Sequence, residues 1–167
     1  MSTDHPVVGY MHVKGSSQGA FQDDKTSAGK GRTSVIAVRF KGEVPHDVRD
    51  GKHAVTKHHP ISVIHEWSAA TAQFLAATWS NEILDEVKVE FVRQGKDGKE
   101  ETYATLTLSK ATVAYFELRA GNADEQVEGK AEFRPVQDVG LIAEKIEFKF
   151  KDASGNATAT YDRKKSS

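Results

Sequence analysis

The sequence predicts a mainly β domain: a small antiparallel β-barrel or sandwich of about eight strands, with one α-helix packed against it. Three observations predict this. Short runs of β-branched and aromatic residues recur along nearly the whole chain, several with alternating polarity. Turn chemistry separates them, as at Gly95-Lys96-Asp97-Gly98 and Ser154-Gly155-Asn156. One Ala-rich stretch after Ser68 breaks the pattern with helical spacing.

The elements follow in order. Residues 7–14 form a short apolar run, read as the first strand and ended by Gly15-Ser16-Ser17. The polar stretch 15–32 reads as a loop, with Phe21 placed to pin it to the body. Residues 33–41 (TSVIAVRFK) form a second strand, with Val35, Ala37 and Arg39 on one face and Ile36, Val38 and Phe40 on the other. Pro45, Asp47, Asp50 and Gly51 break any regular pattern, so 42–57 is expected to be a protruding loop with its tip near Asp50-Gly51. His59-Pro60 leads into a third strand at Ile61, because proline biases the residue before it towards extended geometry.

Ser68 is the expected N-cap of a helix running to about Trp79, since alanine is the best helix former. Its Phe74–Leu75 edge is expected on the sheet and Trp79 in the core. Residues 84–94 alternate, with Val87, Val89 and Phe91 on one face, and return after the Asp-Gly turn as 101–108. A separate strand is read at 110–119, a charged loop at 120–135, and one or two strands over 139–142 and 145–151. A last strand covers 157–162, before a frayed tail at 163–167.

The 167 residues fit one domain with a single core. At 38% hydrophobic and 28% charged the chain can bury that core and remain soluble. The net charge of −1 shows no basic excess of the kind nucleic-acid binding needs. Without cysteine the chain has no disulfide, thiolate metal site or cysteine nucleophile. The opening residues show neither a basic start nor a signal-length apolar run, and no apolar run is long enough to span a bilayer. Synthesis in the cytoplasm is expected, with any export using no cleaved signal.

His46, His53, His58, His59 and His65 crowd one stretch, but none forms a helical i, i+4 pair and no carboxylate spacing completes a metal site. They are read as polar loop or strand residues. Glu66 and Asp85 bracket the helix, and Glu43 and Asp47 lie in the loop; nothing pairs them in a cleft as acid and base. Ser16, Ser17 and Ser34 lack a G-x-S-x-G elbow. Gly29-Lys30-Gly31-Arg32 lacks the P-loop spacing and a following helix. No enzyme activity, cofactor or metal is expected.

Three segments carry a resemblance. YMHVKGSSQG resembles the opening strand and turn of the Hcp family, the tube protein of the type VI secretion system. The block from Gly51 to Arg93 is similar to the family's centre, with His59-Pro60, Phe74-Leu75-Ala76-Ala77 and Val87-Lys88-Val89-Glu90-Phe91 in matching order. EKIEFKFKDASGNATATYD resembles the closing strands. The chain departs from the family's pattern in the turn Ser16-Ser17 and at Trp67 and Trp79-Ser80.

The resemblance implies a structural protein that closes into homohexameric rings stacked as a tube. Its partners would be other copies of itself and the sheath, spike and effector proteins of the machine, with secretion through that machine and neither nucleic acid nor membrane insertion involved. The stacking contact is expected from Glu43, Val44, Pro45, His46, Asp47, Val48, Arg49, Asp50, Lys52 and His53. Their mixed charges suit a polar, reversible interface. Trp67 is a candidate protomer contact. The alternative is a monomeric β-barrel binding a protein or small ligand through the 42–57 loop.

Overall fold

The computed structural model describes residues 7–22, 31–45, 56–121 and 135–165. Ten strands and one helix follow in order: β1 (Gly9–Gly15), β2 (Gly19–Ala20), β3 (Thr33–Arg39), β4 (Gly42–Glu43), β5 (Lys57–His58), β6 (Ile61–Glu66), α1 (Ala69–Ser80), β7 (Leu84–Gln94), β8 (Glu100–Arg119), β9 (Val136–Asp152) and β10 (Gly155–Asp162). All pairings are antiparallel.

The main sheet runs β10-β9-β6-β3-β1-β7-β8, and β8 pairs back onto β9. That last ladder closes a barrel of β9, β6, β3, β1, β7 and β8, which settles barrel against sandwich. β10 hangs on the far half of β9 as an edge strand.

The expected strands 101–108 and 110–119 are a single long one, and of the one or two strands expected over 139–151 there is one. Ser109-Lys110 reads as a break because it is polar, yet β8 continues through it with Lys110 in left-handed geometry at φ 51°. The chain bends there without losing its partner: β8 and β9 stay paired on either side of Lys110 and Glu144. β9 is likewise unbroken from Val136 to Asp152.

A register shift between Val35 and Ala37 overturns the simple alternation expected for β3. It brings Val38 opposite the fully buried Val63, and Val38 packs against the core. β2 is a two-residue strand within the stretch expected to be loop, and Phe21 just beyond it is buried edge-on to Phe74 at 5.1 Å. Residues 163–165 belong to a turn tied to β9, with Arg163 N–H donating to Glu144 O at 2.9 Å, so this part of the expected tail is anchored.

Helix α1 packs one face into the hydrophobic core. Ser68 caps it as expected: its hydroxyl accepts from Ala70 N–H, and the Thr71 hydroxyl accepts from Ser68 N–H. Asn81 at φ 56° ends it. A free helix of this length is marginal in water, so its buried face stabilises it. That face is Ala70, Thr71, Phe74 and Ala77. The small residues let Phe74 sink completely, onto Phe21 and the His65 ring.

Trp79 is not in the core as expected: it is 74% exposed. It follows Ala77 by two residues, about 200° around the helix, which turns it to the outer face. Its ring meets Phe116 edge-on at 6.5 Å.

Candidate functional site

The histidine stretch resolves into two environments. His65 is wholly buried on β6, with Nδ1 2.7 Å from Glu66 O and Nε2 2.7 Å from Gln137 Oε1. It is a hydrogen-bonded core residue. His58 and His59 stand at the opposite end of the β5–β6 segment. His46 and His53 lie outside the described residues, as do Asp47, Val48, Arg49, Asp50 and Lys52. Among the described residues, no group of three His, Cys, Asp or Glu side chains is placed to hold a metal.

Of the expected contact loop, Glu43, Val44 and Pro45 are described and exposed. Its base is a two-stranded ribbon, with Gly42 opposite His58 and Glu43 opposite Lys57. His59 N–H donates to Lys41 O at 2.9 Å and closes the ribbon onto the end of β3. Glu43 Oε1 lies 3.3 Å from Lys41 Nζ and 3.4 Å from His59 Nε2. The hydrogen bond and charge of Lys41, then those of His59, hold the Glu43 carboxyl below its ordinary range.

The ribbon is pinned by one ring. His58 sits edge-on to Tyr161 of β10, at 4.2 Å and 87°, with Phe40 on another side at 5.6 Å. Burial among these aromatics lowers its pKa. In sequence Phe40 and Tyr161 read only as strand residues, far from the histidine stretch. Only the fold brings positions 40, 58 and 161 together.

Beside this cluster the sheet has a gap. The β6–β9 ladder ends at Ile61 opposite Leu141. The β10–β9 ladder begins at Asp162 opposite Lys145. Continued register would set Pro60 against Ile142, and proline has no N–H to give a ladder. The strand stops there for that reason. A cleft of about 470 Å³ opens, with Ile61, Leu141, Ala143 and Ile146 among its aliphatic walls and His58, His59, Tyr161 and Arg163 around it.

Trp67 is half-exposed at the other end of β6. Its indole N–H donates to Val136 O at 2.9 Å and its backbone N–H to Pro135 O at 3.0 Å, strapping β6 to the start of β9. One face of the ring is thereby fixed and another left open.

The other candidate groups stay apart. Asp85 is exposed on β7, Ser16 and Ser17 occupy the β1–β2 turn, and Ser34 lies in β3. Of the glycine run, Arg32 lies over the Tyr10 ring at 3.6 Å and the Gly31 carbonyl lies 3.0 Å from His12 Nδ1. These are a cation–π contact and a hydrogen bond that hold the segment to β1.

A protein-family model described as "Type VI secretion system effector, Hcp" matches residues 10–153. The chain belongs to this family. A relative from Pseudomonas aeruginosa, the Major exported protein, is 28% identical over 148 residues, which cover 82% of this chain and 85% of the relative. Hcp1 from E. coli EAEC 042, a doubly substituted form, shares the fold with a TM-score of 0.76 at 17% identity, over 95% of this chain and 99% of that one. The secreted protein Hcp3 from Pseudomonas aeruginosa does so at 0.69 and 21% identity, over 94% and 98%. As an Hcp protein the chain is a structural, tube-forming component of a type VI secretion system. No helix among its described residues is long and apolar enough to cross a membrane.

Proposed function

We propose that this Hcp protein is a single-domain tube subunit that closes into six-membered rings, and that the rings stack into a conduit for effector proteins. The family match over residues 10–153 carries this reading. Three features of the fold support it. A ring needs a heterologous contact, in which one patch meets a different patch on the next copy. β10 is an edge strand whose segment Asn-Ala-Thr-Ala-Thr bears no charge or proline, the usual devices that blunt an edge. The loop from Glu43 to His53 supplies the stacking contact, carried on the ribbon that His58 pins to the barrel. The exposed part of Trp67 contributes to the contact between protomers in the ring.

Negative-stain microscopy of purified protein, with light scattering for mass, tests the assembly. Six-fold rings and a mass of about six chains are expected. A monomer at every protein and salt concentration refutes it. Deleting residues 45–54 is expected to spare the fold and the ring and to abolish stacking. Loss of soluble folded protein on that deletion refutes the role given to the loop.

A further inference from the structure

Helix α1 carries no charged side chain, although 28% of the chain is Lys, Arg, Asp or Glu. Residues 67–81 are the longest stretch without one. The outward face of a surface helix is normally its charged face. Here that face is Ala69, Ala72, Ala76, Trp79 and Ser80, all exposed. Trp79 is 74% exposed and its ring meets Phe116, which is exposed as well. Trp67, half-exposed, stands just before the other end of the helix. Large aromatics left in water on an uncharged face mark a surface that another polypeptide covers.

A second apolar face lies on the sheet. Across β8, β9 and β10, Phe148 stands between Leu106 and Ala159. Cross-strand neighbours share a face. Leu106 is buried, so this is the face that turns to the core. β6 pairs with β9 only as far as Leu141, and beyond it β9 is flanked by β10. Phe148 is there 41% exposed, and Ala157 and Ala159 are exposed too. Their neighbours along that face are Ile146 and Phe150 on β9 and Tyr161 on β10, none of them charged.

We propose that the outer face of α1 in one copy packs on the Phe148–Ala157–Ala159 face of a second copy. The inference rests on the assembly proposed above and assigns the surfaces of its ring contact. An apolar sheet face is stably covered by a helix, and here the next copy brings the helix. Ala72 and Ala76 let the backbones approach closely, and Trp79 is the large anchor. Neither face holds a charge that the other would bury unpaired. At about 1.5 Å per residue the 12-residue helix is about 18 Å long, and the eight residues of β10 span about 26 Å, enough to seat it. The two faces belong to different elements. Each copy therefore offers one and receives the other, which is the heterologous contact a closed ring requires.

The chain has no cysteine, so cross-linking of introduced ones tests the contact directly. Ala76→Cys and Ala159→Cys are single variants at exposed positions. Co-expressed with different tags and treated with a short bismaleimide, they are expected to form the mixed dimer. Each variant treated alone is expected to give at least about tenfold less dimer. Trp79→Glu, at a position mostly in water, is expected to keep the monomer's melting temperature. It is expected to raise the concentration for half-assembly at least about tenfold by light scattering, because it buries an unpaired charge. Rings from Trp79→Glu at the parent's concentration overturn this contact and leave the ring reading intact. So do parent rings whose mixed cross-link is no stronger than that of either variant alone. A parent chain that never assembles overturns both.

Discussion

Gly9→Ala is expected to be among the most damaging single-methyl additions to this barrel. Gly9 opens β1 between β3 and β7, opposite Val35 on one side and Phe91 on the other. A Cβ built there would lie 2.1 Å from Glu90 O and 3.0 Å from the Phe91 Cα. Real Cβ contacts essentially never fall below 3.0 Å, so the two strands must separate locally by at least 0.9 Å (3.0 − 2.1). The obstacle is backbone, so no side chain can swing away. Glu90 is itself held on both sides, opposite Tyr10 of β1 and Thr105 of β8.

The substitution therefore costs about two ladder hydrogen bonds, at about 1 kcal/mol each, plus overpacking strain of about 1–2 kcal/mol. The register shift at Phe91/Val92 supplies some slack, so the total is about 2–4 kcal/mol. For a chain of this size that is a fall in Tm of roughly 4–16 °C. The assay is urea and thermal unfolding at fixed protein concentration, because assembly makes Tm concentration-dependent. Gly98→Ala is the control: its φ of +76° strains any side chain, but nothing lies within 4 Å of the new methyl. It is expected to cost about 1 kcal/mol. The reasoning fails if Gly9→Ala melts within about 2 °C of the parent, or above Gly98→Ala.

Three further outcomes are expected. Ser68→Ala removes the acceptor for Ala70 N–H and is expected to cost about 1 kcal/mol in urea unfolding, with α1 fraying first in hydrogen exchange. Burial lowers the pKa of His58, so the unfolded chain takes up its proton first as pH falls below about 6.5. His58 thus contributes stability that is complete above that value and is lost as pH falls towards the lower folded value. His58→Gln is expected to flatten the decline in urea midpoint between about pH 7.5 and 5, and an unchanged slope would rule out the His58 contribution. Trp79→Ala is expected to leave unfolding within about 0.5 kcal/mol of the parent, since its side chain is mostly in water. A large loss of stability in monomeric protein would contradict that placement.

Much of this molecule was legible residue by residue. Strands appeared wherever β-branched residues alternated, because the pleat exposes one face to the core and one to water. The helix start was legible because Ser68 satisfies an N–H that the first turn leaves open. The family was legible in the order of three weak segments, and the match over residues 10–153 agrees. Strand ends were less so. The Ser109-Lys110 step has the chemistry of a break, and continuity there depends on β9 alongside, which a local window cannot contain.

What local chemistry could write, it wrote: the alternation, the cap, the turns, the lack of cysteine chemistry, and the proline that halts β6. Closure of the barrel was settled instead by β8 reaching β9, and the outward turn of Trp79 by which four residues α1 buries. The cleft belongs with these. Its walls come from β6 and β9, and its rim from β5, β10 and the turn after β10; these segments lie up to about a hundred residues apart. Apolar burial and ladder pairing act through space, so a site assembled from distant strands exists only once they have met.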